Sequence, residues 1–487
     1  MKLGILLQNG TEQVAKDSEK KKRKSDYKSK AIYSSWLALS LFSLGLVVGQ
    51  IGPTFLDLQI ITGTDVEKAS AFFTGGSVGY LTGSVISGAI YNKVNRKLML
   101  FLGLLLLGVC SLTTPFCSIY ALMIVVRTCS GVCSGFVDTT TNAEHMRVWG
   151  LDGQVLMQLL HFAFAFGGVI SPLYSEPFLT EKDEEDTRNC THESWNVKEN
   201  NNSLSSQPQS TNVLYAFIIT GTCVILSSLP FLYFSVKDSI RRKKKKAVIE
   251  EKPVQRKLPL PVLLFTLLVL CLFYALYCCV EDTFASFLMT FLVKEYCYVT
   301  KSKGAHVTSI YWASFAVSRF LSIFISKFII AVNLLFICCM LMLISFACFY
   351  ISATFAVSDP NAINAVIFFT IVVGLSMSAV FPSGFSWTEA ELLKVTGCVS
   401  SCILVSASIG TMVNPIMLGY LMTHLSNLWF CYLLLGETVA LCCVFIFLRL
   451  FNKLYINKTY GCIQSPQLSI QVSAEHGSSL KMSNPDL

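Results

Sequence analysis

Acidic and amide side chains lie inside long apolar segments of this sequence, where a charged group is costly. Asp138 and Asn142 stand four residues apart, so they share one face of a predicted helix. Glu281 lies in a second apolar segment. A charge at a bilayer centre costs about 2.5–3.5 kcal/mol on insertion scales, so such groups face the protein interior and mark ion or substrate paths. Asp138, Asn142 and Glu281 are therefore candidate ligands for a coupled cation, with Glu281 at the outer surface as the alternative.

A second group of intramembrane residues could bind a small polar solute. Amides offer both donors and acceptors to hydroxyl groups, and aromatic rings can stack on the apolar face of a sugar. His161 could instead carry a proton or donate a hydrogen bond between helices, and the aromatic residues could be packing. The candidate solute-binding residues are Gln50, Gln158, His161, Tyr277, Trp312 and Asn414.

Two arginines also lie within apolar segments and need buried partners. Arg127 precedes Asp138 and Asn142 on the same predicted face, which allows a structural ion pair or a substrate role. Arg319 follows Trp312 by seven residues, and we expect it to face Glu281. Both arginines are assigned structural or gating roles.

A basic loop follows the second apolar segment. It resembles the signature loop of the major facilitator superfamily, in which a glycine is followed by an acidic or amide residue, a basic residue and a closing basic pair. Here Asn92 stands where the family usually has Asp, and Asn95 where it usually has Gly. Such basic groups can contact neighbouring helix ends and help latch one conformation. The loop residues are Gly88, Asn92, Lys93, Arg96 and Lys97.

Composition places these residues in a polytopic membrane protein. The 487 residues are 53% hydrophobic and 14% charged, and apolar runs of 18 or more residues can cross a hydrocarbon core of about 30 Å. The sequence predicts an all-α protein with twelve transmembrane helices in two pseudo-symmetric six-helix bundles. The predicted spans are 31–56, 68–91, 98–115, 118–140, 154–173, 212–236, 258–290, 305–326, 329–350, 362–384, 397–421 and 428–451.

The distribution of Lys and Arg sets the predicted topology. Most lie in segments on the side of the N-terminus, which follows the positive-inside rule and explains the net charge of +8 without nucleic-acid binding. We therefore expect both termini in the cytosol. The predicted regions are a basic N-terminus (1–30), a first bundle (31–236) with an external glycosylated loop (174–211), a basic linker (237–257), a second bundle (258–451) and a disordered tail (452–487).

The external loop carries the modification signals. Asn189 and Asn201 lie in Asn-X-Ser/Thr sequons, and glycosylation there fits the topology. Most of the 19 cysteines lie in apolar spans and are interpreted as packing, whereas Cys190 and Cys297 fall in external segments and could pair. The sequence shows no metal-ligand spacing, no phosphate-binding glycine loop and no nucleophile with a base, so we predict no enzymatic activity and no cofactor beyond a possible coupled Na⁺.

Short repeats relate the two halves. Ser134-Gly135-Phe136 recurs as Ser383-Gly384-Phe385, and Gly167 with Pro172 recurs as Gly410 with Pro415, in corresponding spans. Transporters are often built from repeated halves. The recurrence favours a 6+6 duplication with its boundary in the basic linker.

Nearly all of the membrane part resembles a narrower group, the sodium-dependent glucose transporter 1 family in the fucose-permease-like branch of the major facilitators. The resemblance implies a plasma-membrane symporter that moves a hexose such as glucose with Na⁺ by alternating access. An uncoupled facilitator of a sugar or of a solute such as urea, a proton-coupled symporter and a non-transporting sensor remain open. The residues that carry the resemblance are Gly52-Pro53-Thr54, Leu56, Gly79-Tyr80, Gly83, Gly135-Phe136, Asp138-Thr139, Asn142, Trp149-Gly150, Glu281, Trp312, Phe315, Arg319, Phe381-Pro382, Trp387 and Glu389.

Overall fold

A computed structural model describes residues 2–149, 153–180, 211–241, 259–326, 328–393 and 397–460. Within these residues all regular secondary structure is helical. The long helices are α1 (Lys2–Thr62), α2 (Ala71–Ile90), α3 (Arg96–Thr113), α4 (Tyr120–Trp149), α5 (Gly153–Ser175), α6 (Val213–Arg241), α7 (Leu260–Glu295), α8 (Lys301–Ile325), α9 (Ala331–Ser358), α10 (Ile363–Met377 and Val380–Trp387), α11 (Gly397–His424) and α12 (Trp429–Phe451).

The described helices confirm the predicted fold class. Eleven of them are long and apolar enough to cross a membrane, the first over Tyr27–Thr62. The twelfth, α2, has 20 residues that are rich in Gly, Ser and Thr, which lowers its hydropathy. Its small residues face α4 and allow close helix approach. The predicted twelve spans are therefore present, although one is only weakly apolar.

The helix ends differ from the predicted spans at several places. Helix α7 continues to Glu295, five residues beyond its predicted end, and α4 continues to Trp149. The prediction of a disordered tail was wrong for its first nine residues, because helical structure continues from Asn452 to Tyr460. There the Asn452 amide donates to Glu391 at 3.4 Å, which anchors this extension to the end of α10.

Prolines inside α10 and α11 leave carbonyl groups without an intrahelical partner. Pro382 lacks the N–H that would bond to Ser378, and the freed carbonyl oxygen accepts from Arg319 Nη2 at 3.3 Å. In the same way, Pro415 frees the carbonyl oxygen of Thr411, which accepts from Ser77 Oγ at 3.2 Å. Both prolines thus create polar contacts between helices.

The two halves repeat one packing arrangement. A Cβ atom on Gly167 of α5 would meet the carbonyl oxygen of Phe42 on α1. Likewise, a Cβ atom on Gly410 of α11 would meet the carbonyl oxygen of Ala275 on α7, at 2.9 Å. Glycine therefore lets α5 cross α1 and α11 cross α7 at matching positions, as expected for two six-helix bundles.

The two bundles meet through α5 with α8 and through α2 with α11. The hydrogen bonds that join described residues of the two halves lie toward the end of the molecule that contains the α1–α2 turn. Thr74 Oγ1 donates to the carbonyl oxygen of Met412 at 2.8 Å, and Ser309 Oγ donates to that of Val169. We call this the outer end.

Candidate functional site

Asp138 lies in the interior of the first bundle, half-buried between α4 and α2. Its Oδ2 accepts a 2.5 Å hydrogen bond from the Tyr80 hydroxyl, and its Oδ1 accepts one from Asn142 Nδ2 at 3.0 Å. The close approach of α2 and α4 positions Tyr80, because a Cβ atom on Gly135 would collide with the carbonyl oxygen of Tyr80. The predicted pairing of Asp138 with Asn142 across one helical turn is present.

This carboxylate has neutral partners. No Lys, Arg or His nitrogen of the described chain lies within ion-pair distance of Asp138. Beside it, Asn142 Oδ1 is buried and accepts no hydrogen bond. The site therefore presents a carboxylate and a free amide oxygen with no cationic side chain of the described residues beside them. This ligand set is suited to a small hard cation.

Tyr80 connects this site to the second bundle. It lies within electrostatic range of Asp282 on α7, which follows Glu281. Both acids are half-buried, and they lie 13 and 14 residues before the end of α7 at Glu295. The alternative that Glu281 lies at the outer surface is thus wrong, because both groups are deep in the bundle.

Arg319 faces this pair of acids without a direct ion pair. It is buried and lies in electrostatic range of Glu281, while its guanidinium stacks 4.8 Å from the centre of the Phe315 ring. Its Nε has no hydrogen-bond partner. The Tyr311 hydroxyl, in range of both acids, is also buried without a partner. Arg319 can therefore balance the acids while retaining a free donor.

Two solute candidates on α5 reach the same region. His161 is half-buried and lies in electrostatic range of Arg319 across the interface between the halves. Gln158, almost one turn earlier, is also half-buried. We call the region bounded by Asp138, Tyr80, Glu281–Asp282, Arg319 and His161 the central polar cluster. It draws on helices of both bundles.

Trp312 and Tyr277 form walls near this cluster and are themselves buried. Trp312 packs against α5, where a Cβ atom on Gly168 would lie 2.6 Å from its ring. The Tyr277 hydroxyl donates to the carbonyl oxygen of Met377 at 2.9 Å. These contacts give both rings a packing role in this conformation.

Three other predicted residues lie outside the cluster. Gln50 is buried, and its Oε1 accepts from Thr220 of α6 at 2.8 Å. Asn414 is 2% exposed and directs its amide toward α7 and α12. Arg127 is buried near α2, with its Nη2 3.7 Å from the Cβ position of Gly76, and forms no ion pair with Asp138.

The basic loop surrounds a carboxylate that was not singled out in the sequence. Glu144 is fully buried near the end of α4 and accepts from the hydroxyls of Tyr33 at 3.0 Å and Tyr91 at 2.9 Å. Arg147 binds both of its oxygens, at 2.8 and 2.7 Å, and Arg96 Nε lies 3.6 Å away. In the sequence, the feature that could have pointed to Glu144 was its position six residues after Asp138.

The remaining loop residues have minor contacts. Asn92 Oδ1 accepts from Arg96 at 3.5 Å, and Lys97 lies over the Tyr33 ring at 5.2 Å. Lys93 and Gly88 are exposed. Asn95, where the family usually has Gly, accepts from the Lys97 amide at 3.2 Å and so caps the start of α3.

A buried ion pair at the outer end was also missed. Asp57 Oδ2 lies 3.4 Å from Lys301 Nζ of the second bundle. Its Oδ1 accepts from the Thr180 amide and the Thr211 hydroxyl, both at 3.0 Å. Thr180 and Thr211 flank the long outer loop, so one carboxylate joins that loop to both bundles. We call Asp57 and Lys301 the outer latch.

The glycosylation candidates Asn189 and Asn201 lie outside the described residues. Cys297, between α7 and α8, is disulfide-bonded. Its predicted partner, Cys190, also lies outside the described residues. The disulfide at Cys297 is thus present, and its pairing with Cys190 stays a prediction.

Buried polar groups at the interface of two helical bundles are typical of membrane transporters. The chain matches the family model described as Major Facilitator Superfamily over residues 37–392. It therefore belongs to the Major Facilitator Superfamily.

Among its relatives are proteins named Sodium-dependent glucose transporter 1. The Homo sapiens protein is 31% identical over 410 residues, which cover 83% of this chain and 76% of the relative. The Rattus norvegicus protein is 30% identical over 418 residues, covering 83% and 82%. The family resemblance inferred from the sequence is confirmed.

Solved structures confirm the fold. FucP, a Major Facilitator Superfamily transporter in the outward conformation, superposes with a TM-score of 0.57 at 16% identity, over 86% of this chain and 99% of FucP. A D-xylose-proton symporter gives 0.59 at 12% identity, over 85% of this chain and 97% of the symporter.

Proposed function

We propose that this protein is a secondary active transporter that couples uptake of a hexose such as glucose to Na⁺ by alternating access. The central polar cluster is the observation that carries the proposal. It lies at the contact between two bundles, deep within the membrane part, and includes a carboxylate beside an amide oxygen that has no partner. The relatives named Sodium-dependent glucose transporter 1 support the hexose and the ion.

The cation binds at Asp138 in this proposal. Asp138 accepts hydrogen bonds only from the neutral Tyr80 and Asn142 groups, so its charge is uncompensated by the described residues. A buried charge without a partner is costly, and a bound cation would remove that cost. Asn142 Oδ1 supplies the second ligand. Glu281 lies in electrostatic range of Arg319 and is the second candidate for ion coupling.

The hexose lies between α5 and α7–α8. Gln158 and His161 are half-buried and offer donors and acceptors to sugar hydroxyls, and Arg319 Nε is a free donor across the interface. Trp312 provides an apolar wall. The sugar would thus contact both bundles at once, as alternating access requires.

The protein resides in the plasma membrane with both termini in the cytosol. Two observations support this orientation. The basic loop and linker lie on the side of the N-terminus, as the positive-inside rule requires. The disulfide at Cys297 lies on the opposite side and needs an oxidising compartment. In this orientation the outer latch faces the extracellular space.

The test is uptake of labelled glucose into proteoliposomes that contain the purified full chain. We expect accumulation above equilibrium with an inward Na⁺ gradient, and loss of accumulation when choline replaces Na⁺. Equilibration of glucose that does not depend on Na⁺ would identify an uncoupled facilitator. Accumulation of glucose driven by a pH gradient would identify a proton symporter. Glucose binding without flux would identify a sensor.

A further inference from the structure

A second group of oxygen ligands lies behind the wall of the central polar cluster, where α7, α11 and α12 meet. Asn414 Nδ2 lies 2.7 Å from Thr283 Oγ1, 3.3 Å from Glu437 Oε2 and 3.4 Å from the carbonyl oxygen of Cys279. Asn414 and Thr283 are both 2% exposed, and Glu437 is half-buried. Three oxygens from two helices thus converge on one amide from a third.

The amide cannot satisfy all three oxygens. A side-chain NH₂ group has two donor hydrogens, so three acceptors exceed its capacity. One of those acceptors is a carboxylate, and no cationic nitrogen of the described residues lies within ion-pair distance of Glu437. An uncompensated carboxylate among helices marks a functional site in a membrane protein.

The first bundle shows that the fold does not require a charge here. In the 6+6 repeat, α1, α5 and α6 correspond to α7, α11 and α12. There, Gln50 Oε1 accepts from Thr220 Oγ1 at 2.8 Å, and the Tyr174 hydroxyl lies 2.5 Å from the same Thr220 oxygen. That cluster joins the three corresponding helices with neutral groups only. A charge at Glu437 is therefore not needed merely to join the helices.

We infer that Glu437, Asn414, Thr283 and the Cys279 carbonyl form a binding site for a monovalent alkali cation of the size of Na⁺. Rotation of the Asn414 amide by half a turn replaces Nδ2 with Oδ1, which completes a set of four oxygens. Oxygen ligands suit hard cations, and Ca²⁺, an ion of similar radius, takes them at about 2.3–2.6 Å. A single carboxylate matches a single positive charge.

The site is placed to act on the contact between the bundles. Asn414 directly precedes Pro415, and the carbonyl that Pro415 frees, on Thr411, accepts from Ser77 of α2. A cation that pulls α7, α11 and α12 together would move α11 near Pro415 and so the contact with Ser77. This inference deepens the proposed function. A role of the site in transport rests on the proposed sodium coupling, whereas the binding of Na⁺ to the site does not depend on it.

The experiment is direct binding of radioactive Na⁺ to the purified full chain in detergent, without sugar and with choline holding the ionic strength. We expect saturable binding by the wild-type chain. Glu437→Gln should weaken the binding at this site by at least roughly tenfold, since it removes the only charged ligand. Thr283→Val removes one neutral ligand, keeps the side-chain shape and should weaken Na⁺ binding by a smaller factor. It provides the test if Glu437→Gln does not fold.

The double variant Glu437→Gln with Asn414→Asp moves the carboxylate to the neighbouring helix of the same site and should restore Na⁺ binding. A purely structural hydrogen bond between Glu437 and Asn414 gives no such rescue. Asp359→Asn is the control, because Asp359 is exposed and Asn keeps its capping interaction. Unchanged Na⁺ binding in both Glu437→Gln and Thr283→Val overturns the inference.

Asp138→Asn separates this inference from the proposed function. If the second site exists, Asp138→Asn retains the Na⁺ binding that Glu437→Gln removes. If Asp138→Asn abolishes all Na⁺ binding, the second site is refuted and the proposed coupling stands. If the wild-type chain binds Na⁺ through Glu437 but glucose uptake ignores Na⁺, the proposed coupling fails and the site stands.

Discussion

Asp138 illustrates how a short sequence interval can define a site. The spacing of four residues between Asp138 and Asn142 places them on one helix face, and the predicted contact is present at 3.0 Å. The contact with Tyr80 depends on how closely α2 approaches α4, and helical periodicity does not specify that distance. Local partners were therefore predictable, and the partner on another helix was not.

Replacing Asp138 by Asn keeps its size and shape, removes its charge and leaves one acceptor oxygen in place of two. If this charge binds the coupled cation, Na⁺-driven glucose accumulation should fall by at least roughly tenfold, to the level seen in choline. Equilibrative exchange of glucose should remain, because the residues proposed to bind the sugar are unchanged. Both rates can be measured in proteoliposomes.

Asp138→Glu provides the matched variant, since it retains the charge on a longer side chain. It should retain part of the Na⁺ dependence. Full Na⁺-driven accumulation by Asp138→Asn would remove Asp138 from the coupling role. In that case Glu281 becomes the leading candidate for this role.

Helix packing determines which predicted residues can meet. The sequence repeats correctly indicated that Gly167 and Gly410 occupy matching positions, and both allow close helix crossings. The same repeat paired Pro172 with Pro415. It could not reveal that Ser77, on a helix of the other bundle, donates to the freed carbonyl oxygen, because residues 334 positions apart in sequence carry no local signal of their contact.

Gly168 controls the contact of α5 with α8. An alanine Cβ there would lie 2.6 Å from one Trp312 ring atom and 2.8 Å from another, so the buried ring or one of the helices must move. Gly168→Ala should therefore destabilise the present arrangement of α5 and α8 and lower the rate of glucose uptake by about tenfold or more. Spin-label distances between α5 and α8 should increase.

Trp312→Leu combined with Gly168→Ala provides space for the added methyl group and should return the distance toward its original value. Gly436→Ala is the control, because nothing lies within 4 Å of its Cβ position. Equal α5–α8 distances in the wild-type chain and Gly168→Ala would contradict this account of the interface.

The whole molecule is held closed at its outer end by contacts between residues far apart in sequence. The sequence predicted two bundles and their boundary, but singled out neither Asp57 nor Lys301. Asp57 and Lys301, 244 residues apart, proved to be buried and paired. The pairing became apparent only after both bundles were placed, since each residue alone resembles an ordinary polar flank of a span.

The outer latch makes a prediction about the equilibrium between the two states of the transporter. Lys301→Met keeps most of the side-chain volume and leaves the fully buried Asp57 without its cation in the closed arrangement. Removing one partner of a buried ion pair costs about 3–5 kcal/mol, and opening of the outer end exposes Asp57 to water and relieves that cost. The population should therefore shift toward the outward-open state.

Hydrogen–deuterium exchange of the full chain measures this shift. Amides near Asp57 and at the start of α8 should exchange faster in Lys301→Met, while those around Glu144 at the opposite end should not. The double variant Asp57→Asn with Lys301→Met removes the uncompensated charge, so its exchange should return toward the wild-type rate. Faster exchange at both ends would instead indicate general destabilisation, and unchanged exchange at the outer end would show that this ion pair does not hold the two bundles together.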